Sequence, residues 1–170
     1  SAEVHTCVAC EAGRYQHYAG RGTCDACAAG KSRNGAAASS TEAQACSGCG
    51  AGKFQSTAGQ TLCLDCAAGK HRSGTAASTA EAQACVVCEA GRYQPTAAQT
   101  SCVACAAGKH RSGVAASSAE AQACSSCVSG RFQPTTAQMS CVACAAGKSR
   151  NAAAASSAEE QACDGCKEGH

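Results

Sequence analysis

Paired cysteines of the form Cys-x-x-Cys can do three kinds of chemistry: their thiolates ligate a soft metal, one activated thiol exchanges disulfides, or both sulfurs are oxidised into cross-links. Here a glycine always follows three residues after the second cysteine, and the unit occurs nine times. The pairs are Cys7/Cys10, Cys24/Cys27, Cys46/Cys49, Cys63/Cys66, Cys85/Cys88, Cys102/Cys105, Cys124/Cys127, Cys141/Cys144 and Cys163/Cys166, which together hold all eighteen cysteines. Each pair with its glycine forms a node. Loops of 13 and 18 residues alternate between nodes without exception, so the period is 39 residues. A fixed period of this length marks a tandem array.

Zinc is the sharpest use for such pairs, because Cys-x-x-Cys groups at this spacing come close to a four-thiolate site. Nine nodes, however, do not pair into four-cysteine sites without remainder. A redox enzyme needs one distinctive low-pKa thiol, and nine near-equal copies are the opposite of one tuned site. The histidines give little support to either: of His5, His17, His71, His110 and His170, only His71 and His110 share a loop position. They read as exposed-loop variation. No Ser/His/Asp constellation or phosphate-cradling glycine loop can be assembled, so an enzyme is not expected, nor is a cofactor or resident metal.

Composition favours cross-links. Val, Leu, Ile and Phe total only twelve residues, and the 45% hydrophobic content is mostly Ala and Cys. A shared apolar core is out of reach, whereas more than one residue in ten is cysteine, the density of a disulfide scaffold. The net charge of +2 is spread without blocks of one sign, so no nucleic-acid partner is expected, and no stretch suggests direct membrane insertion.

The elements that must hold the nodes are correspondingly small. Glycine three residues past a cysteine suggests a tight turn with positive φ. In the 13-residue loops a basic residue, an aromatic residue and Gln follow, a short strand in which Tyr15, Phe54, Tyr93 and Phe132 lay one ring per repeat on the node. A return strand into the next cysteine would complete a β-hairpin too small to stand alone. The 18-residue loops end in Ser-x-x-Glu, at Ser39/Glu42, Ser78/Glu81, Ser117/Glu120 and Ser156/Glu159, the pattern of a capping box. It predicts one or two helical turns entering the next cysteine, stable only because that cysteine is anchored. The fold class is thus a small disulfide-rich repeat array, an elongated rod with little regular secondary structure. Residues 1–6 end a preceding repeat, 7–45, 46–84, 85–123 and 124–162 form four repeats, and 163–170 begin a fifth, as in a piece of a longer array.

Bonds within a Cys-x-x-Cys pair would be strained and reducible, so pairing between nodes is favoured. Two schemes remain. One joins neighbours: Cys10 to Cys24, Cys27 to Cys46, Cys49 to Cys63, Cys66 to Cys85, Cys88 to Cys102, Cys105 to Cys124, Cys127 to Cys141 and Cys144 to Cys163. It leaves Cys7 and Cys166 for partners outside the piece. The other crosses whole nodes, Cys7 to Cys24 with Cys10 to Cys27, and strands a ninth node. The neighbour scheme is preferred because only terminal cysteines are left over, although connectivity is not deducible from sequence alone.

At Cys10-Glu-Ala-Gly-Arg-Tyr15 and Cys49-Gly-Ala-Gly-Lys-Phe54 the sequence resembles the cysteine-rich modules of tumour necrosis factor receptors and ephrin receptors, and it is also similar to ciliate surface antigens with periodic Cys-x-x-Cys. The receptor resemblance implies bonds from Cys10 to Cys24, Cys49 to Cys63, Cys88 to Cys102 and Cys127 to Cys141, and an extended, extracellular, disulfide-stapled rod.

Near-verbatim copying of loops suits a structural, non-catalytic segment of a surface coat, matrix or filament better than a receptor-like ligand-binding ectodomain, the alternative, or a zinc-binding array of four-cysteine sites, the second alternative. The expected partners are further copies of the chain or other extracellular structural chains. Ser/Thr tracts such as residues 36–41 and 76–79 offer O-glycan acceptors, though exposed low-complexity loop explains them too. No Asn-x-Ser/Thr occurs. The basic residue after each glycine suggests a solvated face, with an acidic polysaccharide as the rival use.

Overall fold

The computed structural model describes residues 8–36, 38–75, 79–149 and 156–165. Cys7, Cys166, Ser78, His5 and His170, the flanking segments 1–6 and 166–170, and parts of both Ser/Thr tracts lie outside the described residues. The chain divides into two compact units, Ser1–Cys66 with Arg72–Cys85, and Ala67–His71 with Val86–His170.

Every strand is two residues long and every sheet is one antiparallel hairpin among the described residues. In the first unit β1 (Arg14–Tyr15) pairs with β2 (Asp25–Ala26). Next, β3 (Lys31–Ser32) pairs across the helical turn α1 (Glu42–Ala45) with β4 (Ser47–Gly48). Then β5 (Lys53–Phe54) pairs with β6 (Leu64–Asp65). In the second unit β7 (Lys70–His71) pairs with β8 (Val86–Val87), and the turn α2 (Glu81–Ala84), which belongs to the first unit, lies between them in sequence. The pattern repeats in β9 (Arg92–Tyr93) with β10 (Val103–Ala104), and in β11 (Lys109–His110), α3 (Glu120–Ala123) and β12 (Ser125–Ser126). It closes with β13 (Arg131–Phe132) and β14 (Val142–Ala143), then β15 (Lys148–Ser149), α4 (Glu159–Ala162) and β16 (Asp164–Gly165).

Hairpins were expected only in the 13-residue loops. The 18-residue loops form them as well, because the node and not the loop makes the hairpin. In the first node the amide of Arg14 bonds the carbonyl of Glu11, closing a turn whose third residue, Gly13, has φ of 80°. That is the geometry of a type II turn, which needs glycine there. The same bond closes later nodes, Lys31 to Ala28 and Lys53 to Gly50 among them. Glycine is also required for space: a Cβ on Gly13 would overlap the carbonyl of Gly59, and one on Gly91 the carbonyl of Ala137.

Among the described residues, two backbone bonds from each node glycine between Gly13 and Gly108 weave successive loops together. Its carbonyl accepts from the second cysteine of the next node, as in Cys27 to Gly13 at 2.9 Å and Cys105 to Gly91 at 2.8 Å. Its amide reaches further, to the carbonyl of the third residue past the next node glycine: Gly13 to Arg33, Gly30 to Gln55, Gly52 to Arg72, Gly69 to Gln94, Gly91 to Arg111 and Gly108 to Gln133. That third residue is Gln after one kind of node and Arg after the other, so both loop lengths obey one rule.

The core is sulfur with a few small apolar contacts. Phe54 packs with Cys66, Ala84 and Cys85; Tyr93 packs on Cys105, Ala123 and Cys124; Phe132 packs with Ala162, Cys163 and Cys144. Each helical turn thus sits back on the first strand of the preceding hairpin, and α2, α3 and α4 each trap one ring there. The rings act as small satellite cores over the disulfides closing the 18-residue loops.

The helical turns form where expected, but the capping box does not. Glu42, Glu81, Glu120 and Glu159 are the first helical residues, two positions earlier than a box demands. Thr41 caps α1, accepting from the amide of Gln44 at 3.4 Å, and Ala80, Ala119 and Ala158 hold the equivalent place without a side-chain bond. The carboxylates face another way. Glu42 accepts from the amide of Ala28 at 2.9 Å and pairs with Lys31 at 3.0 Å; Glu159 accepts from Ala145 at 3.1 Å and pairs with Lys148 at 3.5 Å. Ser39, Ser117 and Ser156 instead offer their carbonyls to the amides of Gln16, Gln94 and Gln133.

Candidate functional site

The chemistry-bearing groups are the sulfurs, and the nodes bring them together in consecutive pairs. The structure bonds Cys10 to Cys24, Cys49 to Cys63, Cys88 to Cys102 and Cys127 to Cys141 across the 13-residue loops. It bonds Cys27 to Cys46, Cys66 to Cys85, Cys105 to Cys124 and Cys144 to Cys163 across the 18-residue loops. Their Cα atoms lie between 5.5 Å (Cys66 to Cys85) and 5.9 Å (Cys10 to Cys24) apart, inside the ordinary range for a bridge.

The two classes differ in surroundings. Cys27, Cys66 and Cys105 are fully buried, and their partners Cys46, Cys85 and Cys124 nearly so. In the 13-residue loops the first cysteine is buried; of the second cysteines, Cys24, Cys63 and Cys102 are half-buried at the surface and Cys141 is buried. Those sulfurs meet residues from an earlier loop: Ser32 lies 3.4 Å from the sulfur of Cys63, His71 Nδ1 lies 3.2 Å from that of Cys102, and His110 Nδ1 lies 3.2 Å from that of Cys141. The shared loop position of His71 and His110, read from sequence as surface variation, is therefore a contact with the next repeat's bridge. A second strand residue following a node is the signal that could have located it.

Polar residues that sequence reasoning passed over are buried with the sulfurs. Gln55, Gln94 and Gln133 are 3–4% exposed, and Arg33, Arg72 and Arg111 are 5–7% exposed. Each glutamine braces its own loop: the side-chain amide donates to Leu62, Ser101 or Ser140, and its oxygen accepts from Thr57, Thr96 or Thr135. The arginines reach back to an earlier loop, where their guanidinium groups donate to the carbonyls of Arg14, Lys53 and Arg92. Burying such groups is tolerable because they find partners, and each residue is the one whose carbonyl receives a node glycine. Its unbroken recurrence three residues past each glycine was the available signal.

The basic residue after each glycine stays exposed or half-exposed but finds a partner within the fold among the described residues. Arg14, Arg92 and Arg131 donate to the carbonyls of Cys24, Cys102 and Cys141. Lys31, Lys109 and Lys148 pair with Glu42, Glu120 and Glu159, Lys53 pairs with Asp65 across its hairpin, and Lys70 also has a partner. These cations join turn to helix or strand to strand. The carboxyl of Glu42 is held below its ordinary range, first by the Ala28 amide and then by Lys31, with partial desolvation opposing them.

The first repeat carries one feature of its own. His17 and Tyr18 meet edge to face, with ring centroids 4.6 Å apart, and the Arg21 guanidinium lies 4.7 Å over the exposed Tyr18 ring. An open cleft of about 450 Å³ adjoins it, lined by Val8, Gln16, His17, Tyr18 and Ser39 among others.

Among the described residues no helix is long and apolar enough to cross a membrane. Disulfides at this density belong to oxidising surroundings outside the cytosol, which makes the chain an extracellular type of repeat region. No curated protein matches it. Four successive stretches, residues 1–43, 35–83, 74–121 and 113–163, do match the family model described as tyrosine-protein kinase ephrin type A/B receptor-like, and on that coverage the chain belongs to this family as a tandem array of its cysteine-rich repeats.

Proposed function

We propose that the chain is a structural, non-catalytic segment of an extracellular coat, matrix or filament, in which it forms a disulfide-stapled rod. The observation that carries this reading is the weave of node glycines: within each unit the same backbone bonds tie one loop to the next, whatever the loop's length. Contacts that recur at every node suit a part whose job is length and resistance, because each repeat is held by its neighbours. Near-identical loops also offer near-identical outer surfaces, which favours further copies of the chain or other structural chains as partners. O-glycans on the Ser/Thr tracts belong to the same reading. Neither nucleic acid nor membrane insertion has a place in it. Pairing of the sulfurs weighs against a four-thiolate zinc array, since oxidised cysteines are not thiolate donors.

Negative-stain imaging of the full-length protein tests the proposal. Uniform fibres or sheets are expected; dispersed particles that never associate, at concentrations where the protein is abundant, would overturn it. A second reading, a ligand-binding ectodomain, draws on the His17, Tyr18 and Arg21 cluster, because the later repeats lack it and a monovalent receptor needs one distinctive patch. Capture of one soluble partner that Tyr18→Ala abolishes would favour that reading.

A further inference from the structure

Two of the disulfides have a histidine aimed at them. Nδ1 of His71 lies 3.2 Å from the Cys102 sulfur, and the ligand atoms of His71, Cys88 and Cys102 all lie within 4.8 Å of one another. His110, Cys127 and Cys141 repeat the arrangement with the same 3.2 Å approach. The equivalent bridge of the preceding repeat, Cys49 to Cys63, has Ser32 in the histidine's place. We propose that these two clusters are latent sites for a thiolate-preferring cation of the zinc class, closed while the bridge is oxidised and opened when a dithiol reduces it.

Three features support the assignment. Imidazole nitrogen and two thiolates are a donor set that zinc accepts, with a fourth position left for water or an outside ligand. Cysteine Cα atoms 5.8 Å apart in both bridges leave the sulfurs near each other after the bond opens, so little backbone movement is needed to close them around one ion. Access is graded as well. Cys66 with Cys85 and Cys105 with Cys124, in the 18-residue loops, are buried beneath a ring or an alanine, whereas Cys102 is half-exposed; Cys141 is buried, so the His110 site opens after the His71 site.

Opening the site is a thiol–disulfide exchange in two steps. One thiolate of the dithiol attacks the Cys102 sulfur, breaking its bond to Cys88 and releasing the Cys88 thiolate. The second thiol of the reductant, as thiolate, displaces Cys102 and becomes part of a cyclic disulfide. Two electrons have passed from the dithiol to the bridge. The cation then takes both protein thiolates and His71 Nδ1, and the two protons of the dithiol end in solvent. The same steps apply at Cys127 and Cys141 with His110. The assignment stands apart from the structural role proposed above, since it concerns two repeats and not the array.

The test uses the full 170-residue chain. It is treated with limiting dithiothreitol under anaerobic conditions, freed of reductant by gel filtration, and given Zn²⁺ or Co²⁺ alone. One portion is alkylated before the metal is added and mapped by peptide mass. Alkylation is expected at Cys88 and Cys102 before Cys127 and Cys141, and, once all four are free, uptake of two ions per chain, with the tetrahedral sulfur and nitrogen spectrum of bound Co²⁺. A His71→Ser, His110→Ser double variant recreates the serine that the Cys49 to Cys63 bridge already tolerates. Its affinity should fall by at least about 100-fold, the upper end of what loss of an outer-shell partner costs a metal site. Ser32→His should create a third site. Equal uptake by the native chain and the double serine variant, or no uptake by the native chain once those four thiols are free, overturns the assignment.

Discussion

The residues that matter most to this fold are the ones that sequence composition made look least interesting. Ala98 and Ala137 have φ of 60°, while the equivalent Gly20 and Gly59 sit at 75° and 73°. The left-handed region costs an L-residue roughly 1–2 kcal/mol, offset in part by glycine's greater freedom when unfolded. Ala98→Gly and Ala137→Gly together should therefore raise stability, by about 1 kcal/mol, read as a later midpoint in guanidinium under non-reducing conditions. A turn at these loop positions was legible from the small residues, but its hand was not, because alanine hides the demand that glycine advertises. Glu42 gives a pH prediction. Its folded-state pKa is depressed by the Ala28 amide and Lys31, so its ionised form adds stability above the ordinary carboxylate range and loses that contribution as pH falls through the folded value. Amide exchange at Ala28 should be faster in Glu42→Gln than in the native chain at neutral pH, and the difference should vanish in acid. The buried Gln and Arg residues were missed for a related reason: they are held by carbonyls seven residues on, as at Leu62, or in an earlier loop, as at Lys53, which no local pattern announces.

At the scale of elements, α2, α3 and α4 with the ring beneath each protect one bridge apiece. Phe132 is 9% exposed and packs on Ala162, Cys163 and Cys144. Truncating a buried Phe costs about 3–5 kcal/mol in an ordinary core, and a satellite cluster this small should sit near the lower end. Phe132→Ala should therefore hasten reduction of the Cys144 to Cys163 bridge while leaving the Cys66 to Cys85 bridge at its native rate, measured by timed alkylation. The ring's place was readable because an aromatic residue beside a node glycine has nothing else apolar to touch. The helical turns were readable as well, from Ser-x-x-Glu leading into a cysteine. Their caps were not: Ser-x-x-Glu predicts a glutamate folded back on its own helix, but Lys31, Lys109 and Lys148 stand in the preceding turn and draw the carboxylates across. A contact made across a loop prevails over one made within four residues.

For the molecule as a whole, the period and the sulfur count carried the architecture, and the spacing narrowed the pairing to two schemes. Closing a loop of about 15 residues restricts the unfolded chain by roughly 3 kcal/mol in the chain-entropy account. With so few other apolar contacts, complete reduction under denaturant-free conditions should unfold the array, seen as loss of protease resistance across all four repeats together. The weave has one more consequence, for the order in which the protein is made. A node glycine is satisfied by a carbonyl just past the next node, and even the reach from Gly59 back to Cys27 falls inside one 39-residue period. Chain emerging from a ribosome therefore finds each of these hydrogen-bond partners within one period; each segment can finish oxidising while only the following one is still being synthesised. Adding repeats lengthens the product without raising contact distance, so the time needed to mature any one stretch stays the same however long the gene grows.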